Sequence, residues 1–205
     1  MVVIKEIKRG KKKYTLTMAN GNTFDVNVDV ALSYSVHEGE MEDERFKELL
    51  KESDRQNAKV YLYSMISRKP RTVKESRDRL YEKGYHKDAV EYAIKTLSSY
   101  GYLDDADYAK NFVENGSRNK GGYRLRKEMQ LKGVSEEDIN LALGDLDEEG
   151  EFESGKALAK KHLRGGDLRD EKVKEKLFRY LLARGYSYGV VKKILRELGV
   201  EIEEN

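Results

Sequence analysis

The chain of 205 residues is long enough for one or two ordinary domains, and it carries 40 basic and 38 acidic residues against 38% apolar content. So much charge favours long solvated helices, and one proline among 17 glycines is unlike a proline-rich linker or a loop-rich sandwich. The absence of cysteine excludes disulfide scaffolds, thiolate metal sites, iron–sulfur clusters and cysteine nucleophiles.

The first segment, from Ile4 to about Val36, has the alternating pattern of β-strands. An Asn-Gly-Asn turn signal at 20–22 separates two such runs and predicts a β-hairpin. A two-residue loop would split the apolar faces, so we predict a three-residue loop that pairs Met18 with Phe24, Leu16 with Val26 and Tyr14 with Val28. Because a two-stranded ribbon is marginally stable alone, we expect it to pack on a helix at Asp43–Glu52.

From Ala58 onward the apolar residues follow helical spacing, and the pattern occurs three times. Taking Gly84, Gly133 and Gly185 as anchors, separated by 49 and 52 residues, the same five offsets are apolar in every copy. These fifteen positions are Leu80, Val90, Ala93, Ile94 and Leu97; Met129, Ile139, Ala142, Leu143 and Leu146; and Leu181, Val191, Ile194, Leu195 and Leu198. The recurrence predicts three tandem repeats of one helical unit.

Each repeat is predicted to hold three helices, with the anchor glycine ending the second one in left-handed geometry. The capping-box pattern beginning at Thr72 starts one second helix, while Ser135 and Ser187 are expected to cap third helices. Gly101 and Gly150 are expected to end the third helices of the first two repeats. The predicted helices lie near 56–68, 72–83 and 87–100, then 105–116, 120–132 and 135–147, then 154–164, 169–184 and 187–198.

These elements predict a mainly α protein in which three three-helix repeats form an elongated curved array after a small N-terminal module containing the β-hairpin. The expected division is 1–54 for the hairpin and helix module, 55–101 for the first repeat, 102–150 for the second and 151–205 for the third.

No arrangement of residues indicates catalysis or a cofactor. His37, His86 and His162 are isolated, so surface or partly packed histidines are favoured over a metal site. The segment from Gly150 to Lys156 resembles a phosphate-binding P-loop, but Ala157 stands where Ser or Thr must ligate magnesium. The repeat register instead predicts a junction between repeats there. We therefore expect a protein that is not an enzyme and needs no cofactor or metal.

Nothing in the chain indicates a membrane or secreted protein. No apolar stretch approaches the roughly 18 residues of a membrane span, and the first ten residues lack the apolar core of a signal peptide. We expect a cytoplasmic monomer.

Positive charge recurs at the second helix of each repeat. Residues 68–83 carry a local charge of +4, residues 118–132 one of +5 and residues 156–184 one of +6. Solvated helix faces can separate charge by accident, but three patches at the same repeat position favour one basic surface for a polyanion or an acidic protein. We call these residues the basic stripe: Arg71, Lys74, Arg77, Arg118, Lys120, Arg124, Arg126, Lys127, Lys172, Lys176 and Arg179.

Tyrosines near the basic residues offer a second contact type, because aromatic rings can stack on exposed bases. Packing in the core or at its rim is the commoner role of tyrosines at helical spacing. The residues concerned are Tyr61, Tyr63, Tyr81, Tyr85, Tyr123 and Tyr186.

Tyr100–Ala109, Arg71–Gly84 and Gly122–Val134 form one set of motifs. Together these three stretches resemble the RecX family, the bacterial regulators of the RecA recombinase. Tyr100–Ala109 is similar to the family's Gly-x-Leu-Asp-Asp segment, and Arg71–Gly84 and Gly122–Val134 are similar to the second helices of its first two repeats. The resemblance covers about 58–198, departs at Ser76, where the family usually has leucine, and is weakest in the third repeat. Its structural motif residues here are Gly84, Gly101, Leu103, Asp104, Asp105, Gly133 and Gly185.

The resemblance implies a modulator, expected to be a negative regulator, that binds in the groove of the RecA–DNA filament. It implies damping of ATP hydrolysis, filament growth and strand exchange, with the RecA filament as partner and single-stranded DNA contacted within the filament or weakly alone. We expect the basic stripe to meet acidic filament surface or DNA phosphates. A stand-alone nucleic-acid-binding helical module is the alternative, and an enzyme is the least favoured hypothesis.

Overall fold

The computed structural model describes residues 1–144, 146, 148–163 and 167–200, and the chain forms two compact units, Met1–Leu103 and Asp104–Asn205. The first unit contains a small sheet and three longer helices. The second contains six helices among its described residues.

The N-terminal module is a four-stranded antiparallel sheet with the order β3-β2-β1-β4. Its strands are β1 (Val2–Arg9), β2 (Lys13–Met18), β3 (Thr23–Asn27) and β4 (Gly39–Met41). The sequence predicts the β2–β3 hairpin, and the structure adds a strand on the other side of β2 and a short closing strand. The added strands give the ribbon the support that two strands lack alone.

The predicted hairpin register is wrong by two residues. Leu16 pairs with Phe24 and Tyr14 with Val26, so the turn is centred one residue earlier than predicted. It is closed by hydrogen bonds from the Met18 amide to the Asn22 carbonyl (2.8 Å) and from the Gly21 amide to the Met18 carbonyl (2.9 Å). A slip of two residues leaves every side chain on its predicted face, because side chains alternate with a period of two. The apolar face therefore stays intact.

The predicted β-strand segment, which extends to about Val36, also ends too late, because β3 ends at Asn27. Val28–Ser33 forms a helix, α1, and Val28 is not paired with Tyr14. The Asn27 side chain causes the switch: its Oδ1 accepts a hydrogen bond from the Asp29 amide at 3.0 Å and caps the helix.

One long helix, α2 (Asp43–Ile66), replaces the two predicted at 43–52 and 56–68. Residues 53–55 lie between the two predicted helices, but Ser53 is buried and its hydroxyl accepts a hydrogen bond from the Asn27 amide at 2.8 Å. No glycine or proline interrupts the helix. Its first half packs Phe46 and Leu49 against the sheet, and its second half packs Ala58, Leu62 and Ile66 in a separate core with the following helices.

The first repeat is completed by α3 (Val73–Glu82) and α4 (Lys87–Ser99), close to the predicted bounds. The capping box at the start of α3 is confirmed: Thr72 Oγ1 accepts from the Glu75 amide at 3.1 Å, and a Glu75 carboxylate oxygen accepts from the Thr72 amide at 3.2 Å. The anchor Gly84 has φ +92°, as predicted for a helix stop in left-handed geometry, and Gly101 has φ +73°.

The second unit holds two further three-helix sets. They are α5 (Asp105–Gly116), α6 (Gly122–Leu131) and α7 (Glu136–Gly144), followed by α8 (Glu148–Leu163), α9 (Glu171–Ala183) and α10 (Tyr188–Glu197). Side-chain caps at Asp104, Ser135 and Ser187 are present, and Gly133 and Gly185 have positive φ as predicted.

The junction between α7 and α8 differs from the prediction. Gly150 does not end a third helix but lies inside α8, because three glutamates in the first turn stabilise a start at Glu148 through the helix dipole. The predicted P-loop look-alike is therefore helical, and Gly155 is buried beside Ile194 and Tyr186. The predicted helix ends at 147 and 164 lie outside the described residues.

The fifteen apolar repeat positions form the cores. Twelve are buried, while Leu143, Leu146 and Leu198 are half-buried and pack on the same clusters. Each repeat has its own core. The predicted mainly α architecture of three three-helix repeats behind a sheet module is thus confirmed, and the four-part division at 54, 101 and 150 stays a prediction.

The second and third repeats are joined where the start of α6 meets the end of α9. The Gly121 amide donates to the Arg184 carbonyl at 3.0 Å, and the Tyr123 amide donates to the Gly185 carbonyl at 3.2 Å. The approach needs glycine: a Cβ on Gly121 would lie 2.3 Å from the Gly185 carbonyl oxygen, and one on Gly185 would lie 2.3 Å from the Arg124 Cβ. We call this contact the glycine joint.

Candidate interaction surface

The basic residues of α3 bond mostly within their own repeat. Lys74 pairs with Asp78 at 3.4 Å, one turn along the helix. Arg77 reaches across to α4 and donates two hydrogen bonds to Glu91, at 3.0 and 3.4 Å, and this contact raises the pKa of its guanidinium. Arg71 is half-buried, and its Nε makes no hydrogen bond within the described structure.

In the second repeat, three of the cations are tied to neighbouring carboxylates. Lys120 and Arg124 both form salt bridges with the Glu128 carboxylate. The distance from Arg124 Nε to Glu128 Oε1 is 2.9 Å. Burial by itself would raise the pKa of the Glu128 carboxyl, but the hydrogen bonds from the two cations outweigh it and hold the pKa below its ordinary value. Arg126 turns to α7, where it bonds to Glu136 at 2.8 Å and to Asn140 at 2.7 Å.

Arg77 and Arg126 occupy the same repeat position, 49 residues apart, and make the same kind of bridge. Each spans from the second helix of its repeat to the third, ending at the equivalent positions Glu91 and Asn140. The shared geometry indicates that these two members of the basic stripe hold helices together within a repeat.

Other members of the stripe face solvent without an acidic partner among the described residues. Arg118, Lys127, Lys172 and Lys176 are exposed and make no described ion pair. On α9, helical spacing puts Lys172, Lys176 and Arg179 on one face, with Arg179 held by Glu175 at 3.2 Å. The four exposed cations are available to an outside partner.

The structure brings Arg124 and Lys127 together with the end of α9. A groove of about 430 Å³ is lined by Tyr123, Arg124, Lys127, Glu128, Leu131, Leu182, Ala183 and Gly185. Arg124 Nη1 donates to the Ala183 carbonyl at 3.2 Å, so the C-terminal end of α9 meets α6 at this place. We call it the α6–α9 groove. Leu131 and Leu182 were not identified as site residues from the sequence, because residues were selected there by charge. The four-residue spacing of Tyr123, Lys127 and Leu131 could have indicated that they share one face of α6.

The predicted tyrosines divide between core and surface. Tyr186 is buried, and burial raises the pKa of its hydroxyl, while Tyr61 packs against the half-buried Tyr85 with ring centres 6.0 Å apart. Tyr63, Tyr81 and Tyr123 are exposed. Packing therefore accounts for about half of the group.

The surroundings of the three histidines and of Asp104 indicate packing, capping or surface positions. His162 stacks on Tyr180 with ring centres 3.8 Å apart, and His37 and His86 lie at the surface. Asp104 caps α5, with its Oδ1 accepting from the Ala106 and Asp107 amides at 2.9 and 3.1 Å. Within the part of the chain that the structure describes, no three acidic or histidine side chains converge as a metal site. Nor is any described helix long and apolar enough to cross a membrane.

Family models match all three repeats in order. The first three-helix domain of RecX matches residues 58–97, the second matches 104–143 and the third matches 149–195.

Relatives and solved structures carry the same name. A regulatory protein RecX of Clostridium botulinum (strain Alaska E43 / Type E3) is 30% identical over 93% of this chain and 92% of its own length, and one of Clostridium beijerinckii is 25% identical over 100% of this chain and 98% of its own. A crystal structure of regulatory protein RecX superposes with a TM-score of 0.71 and 23% identity, covering 96% of this chain and 100% of the other. A RecX structure from Lactobacillus salivarius gives a TM-score of 0.63 and 24% identity over 71% of this chain and 97% of the other. The two structures support the fold.

Proposed function

The chain belongs to the RecX family of regulatory proteins, and from that premise we propose that it regulates a RecA recombinase by binding to the RecA–DNA filament. The observation that carries the proposal is the ordered match of all three repeats to RecX domains. The regulation is negative: the bound protein damps ATP hydrolysis, filament growth and strand exchange. It acts by binding and has no catalytic activity of its own.

Binding takes place in the groove of the filament, as a monomer in the cytoplasm. The exposed cations support this role, since Lys127, Lys172 and Lys176 face solvent without a described carboxylate partner. They pair with carboxylates of the filament surface or with phosphates of its single-stranded DNA. Arg77 and Arg126 contribute through the shape of the repeats, because their guanidinium groups are engaged within them.

The test is the ATPase activity of the host recombinase on single-stranded DNA, with this protein added. We expect inhibition, and we expect the triple variant Lys127→Glu, Lys172→Glu and Lys176→Glu to need at least about tenfold more protein for the same inhibition, a loss of about 1.4 kcal/mol in binding free energy. Its thermal midpoint should stay close to that of the parent, because exposed charges contribute little to folding.

A matched control has the same charge change elsewhere. Lys95, Lys110 and Lys161 are also exposed and without a described ion pair, so their triple reversal to glutamate should leave inhibition nearly unchanged. An inert parent protein across a range of salt concentrations would refute the proposed function. Equal losses in both triple variants would refute the role of the chosen cations.

A stand-alone nucleic-acid-binding module is the second candidate, favoured by the same exposed cations and by the exposed rings of Tyr63, Tyr81 and Tyr123. If four to six phosphates are engaged on a single strand, log affinity falls against log salt with a slope of about −3 to −4. Tight binding to DNA without recombinase, with that slope, would favour this candidate. A flat salt dependence would exclude it.

A further inference from the structure

The α6–α9 groove combines exposed apolar side chains with positive charge. Tyr123 is 70% exposed, Leu131 71% and Leu182 37%. Tyr123, Lys127 and Leu131 follow one another at intervals of four residues, so they share one face of α6, and Leu182 faces them from α9. At about 430 Å³, the groove falls within the roughly 300–1,000 Å³ of typical binding clefts.

The apolar residues indicate a protein partner. Exposed leucines beside an aromatic ring on a folded surface are characteristic of protein-binding sites. Interfaces with nucleic acid are more polar and more strongly positive, and they offer little that an aliphatic side chain recognises. Two leucines in the lining of the groove therefore favour a polypeptide over a DNA strand.

The charges indicate that this polypeptide is acidic. Lys127 is exposed and has no described ion pair, and Arg124 lies beside it. Glu128 is the one carboxylate among the described lining residues, and its two oxygens already bond to Lys120 and Arg124. Lys127 is thus open to a carboxylate from outside.

The walls of the groove are held in place before any partner arrives. The glycine joint fixes the start of α6 against the end of α9 through backbone hydrogen bonds of 3.0 and 3.2 Å, and Arg124 adds a bond of 3.2 Å to the Ala183 carbonyl. A preformed groove reduces the ordering that binding must otherwise impose.

We propose that the α6–α9 groove docks an amphipathic segment of a partner protein, which places aliphatic side chains against Leu131 and Leu182 and a carboxylate against Lys127. The inference deepens the proposed function and rests on it only in naming the recombinase as the source of that segment. The docking chemistry itself can be tested without the recombinase.

The first experiment uses a synthetic probe: a fluorescein-labelled helical peptide of about 15 residues, long enough for four turns, with leucines spaced by four residues and glutamates on the same face. Fluorescence anisotropy should show saturable binding, and amide chemical shifts in labelled protein should change around Lys127, Leu131 and Leu182. The double variant Leu131→Ser and Leu182→Ser should weaken binding at least tenfold, and replacing the peptide's glutamates by lysine should weaken it similarly. Absent binding, or equal binding to the variant, would overturn the proposal.

A matched control uses two other exposed leucines. Leu32 is 60% exposed and Leu141 67%, so Leu32→Ser with Leu141→Ser removes as much surface leucine without touching the groove. This control should bind the peptide within twofold of the parent protein. A loss equal to that of the groove variant would show a nonspecific effect and overturn the proposal.

The second experiment compares the recombinase filament on single-stranded DNA with the same DNA alone. The groove variant should lose at least fivefold in filament affinity while its affinity for bare DNA stays within twofold. A parent that binds the filament and a groove variant that binds it equally would overturn the groove as the recombinase contact and leave the proposed function standing. Failure of the parent to bind the filament would instead refute the proposed function, and the peptide experiment would decide the groove on its own.

Discussion

The second helices of the first two repeats, α3 and α6, begin in different ways at the same repeat position. Thr72 opens α3 with a capping box that it forms with Glu75 in the same helix. Gly121, 49 residues later, opens α6 and offers no side chain. Instead, acceptors in the third repeat bond to the first amides of α6. The Gly121 amide donates to the Arg184 carbonyl, and the Tyr123 amide donates to the Gly185 carbonyl. The Gly122 amide donates to a Glu151 carboxylate oxygen at 2.8 Å.

The difference shows two solutions to one requirement. The first amides of any helix need acceptors, which a local side chain can provide or which a neighbouring element can provide. At the start of α3 two of these acceptors come from its own residues, through the capping box of Thr72 and Glu75. The start of α6 instead takes its acceptors from the third repeat, and Gly121, which permits the close approach, is also the residue that leaves α6 without a side-chain cap of its own.

The largest expected effect is at the glycine joint. Gly185→Ala should lower the free energy of unfolding by about 2–4 kcal/mol, because the new Cβ would overlap Arg124 and the residue has φ +89°. The matched substitution Gly84→Ala has a similar φ of +92° but no atom within 4 Å of the added Cβ, so it should cost only about 1–2 kcal/mol. Denaturant unfolding of both variants measures the difference. Equal losses would show that backbone conformation alone, and not contact between the repeats, makes Gly185 necessary.

Removing the local cap of α3 should have the next largest effect. Thr72 is fully buried, and Thr72→Ala removes the hydroxyl oxygen that accepts from the Glu75 amide, so it should cost about 1–2 kcal/mol. Thr72→Ser keeps the hydroxyl and serves as the control, with most of the stability retained in thermal unfolding. A cost for the serine variant as large as for alanine would show that the methyl group, and not the cap, matters.

The cap supplied to α6 by the third repeat should be worth somewhat less. Glu151→Ala removes the acceptor of the Gly122 amide and should cost about 1 kcal/mol, measured by thermal unfolding. The neighbouring Glu153→Ala leaves this amide bonded and should cost clearly less. If the two variants are equally stable, the capping role of Glu151 is wrong.

The stability of α6 should depend on pH through the half-buried Glu128. In α3 the equivalent position is Arg79, which does not titrate in the same pH range. The pKa of Glu128 is lowered in the folded protein, so its contribution is present above the unfolded pKa of about 4.3 and is lost as pH falls through the folded value. Glu128→Gln should therefore be less stable than the parent by about 0.5–1 kcal/mol at about pH 7, and this difference should disappear as pH falls through the unfolded pKa and then through the lower folded pKa. A gap independent of pH would mean that shape, and not charge, is responsible.

The smallest expected effect is a gain in stability in α3. Ser76 is fully buried and its hydroxyl makes no hydrogen bond in the described structure, whereas Leu125 fills the equivalent position of α6. Ser76→Ala removes an unsatisfied polar group and should raise the free energy of unfolding by about 0.5 kcal/mol. A loss of stability in thermal unfolding would show that the hydroxyl is bonded in solution.

Local signals in the sequence were sufficient where a helix controls its own ends. The Thr72 capping box, the caps at Ser135 and Ser187, and the left-handed stops at the anchor glycines all depend on residues within a few positions. The prediction was wrong at two places, at Ser53 because of a long-range contact and at Gly150 because of its neighbouring residues. The polar run around Ser53 is helical because its hydroxyl bonds to a distant strand, and Gly150 continues a helix because neighbouring glutamates and the burial of Phe152 stabilise it.

The basic stripe shows the same limit. Charge counting finds the cations but does not tell which are already engaged: Arg77 and Arg126 bond within their repeats, while Lys127 and Lys176 do not. The partners of an arginine on a second helix come from a third helix 10 to 14 residues away, and only the packing of the two decides whether they meet. Leu131 and Leu182 were missed in the sequence, because a single exposed leucine does not indicate a binding site. Only the packing of α6 against α9 shows that the two leucines lie close together.

The continuous helix α2 has a consequence for how the first unit comes apart. Phe46 and Leu49 lie in the core beneath the sheet, and Ala58 and Leu62 lie in the core of the first repeat, so one rod of 24 residues belongs to both. Unfolding of α2 at either end should therefore destabilise both cores. We expect the sheet and the first repeat to unfold together in a single cooperative transition. Truncated forms meant to keep the first repeat should therefore retain the helix from Asp43 onward.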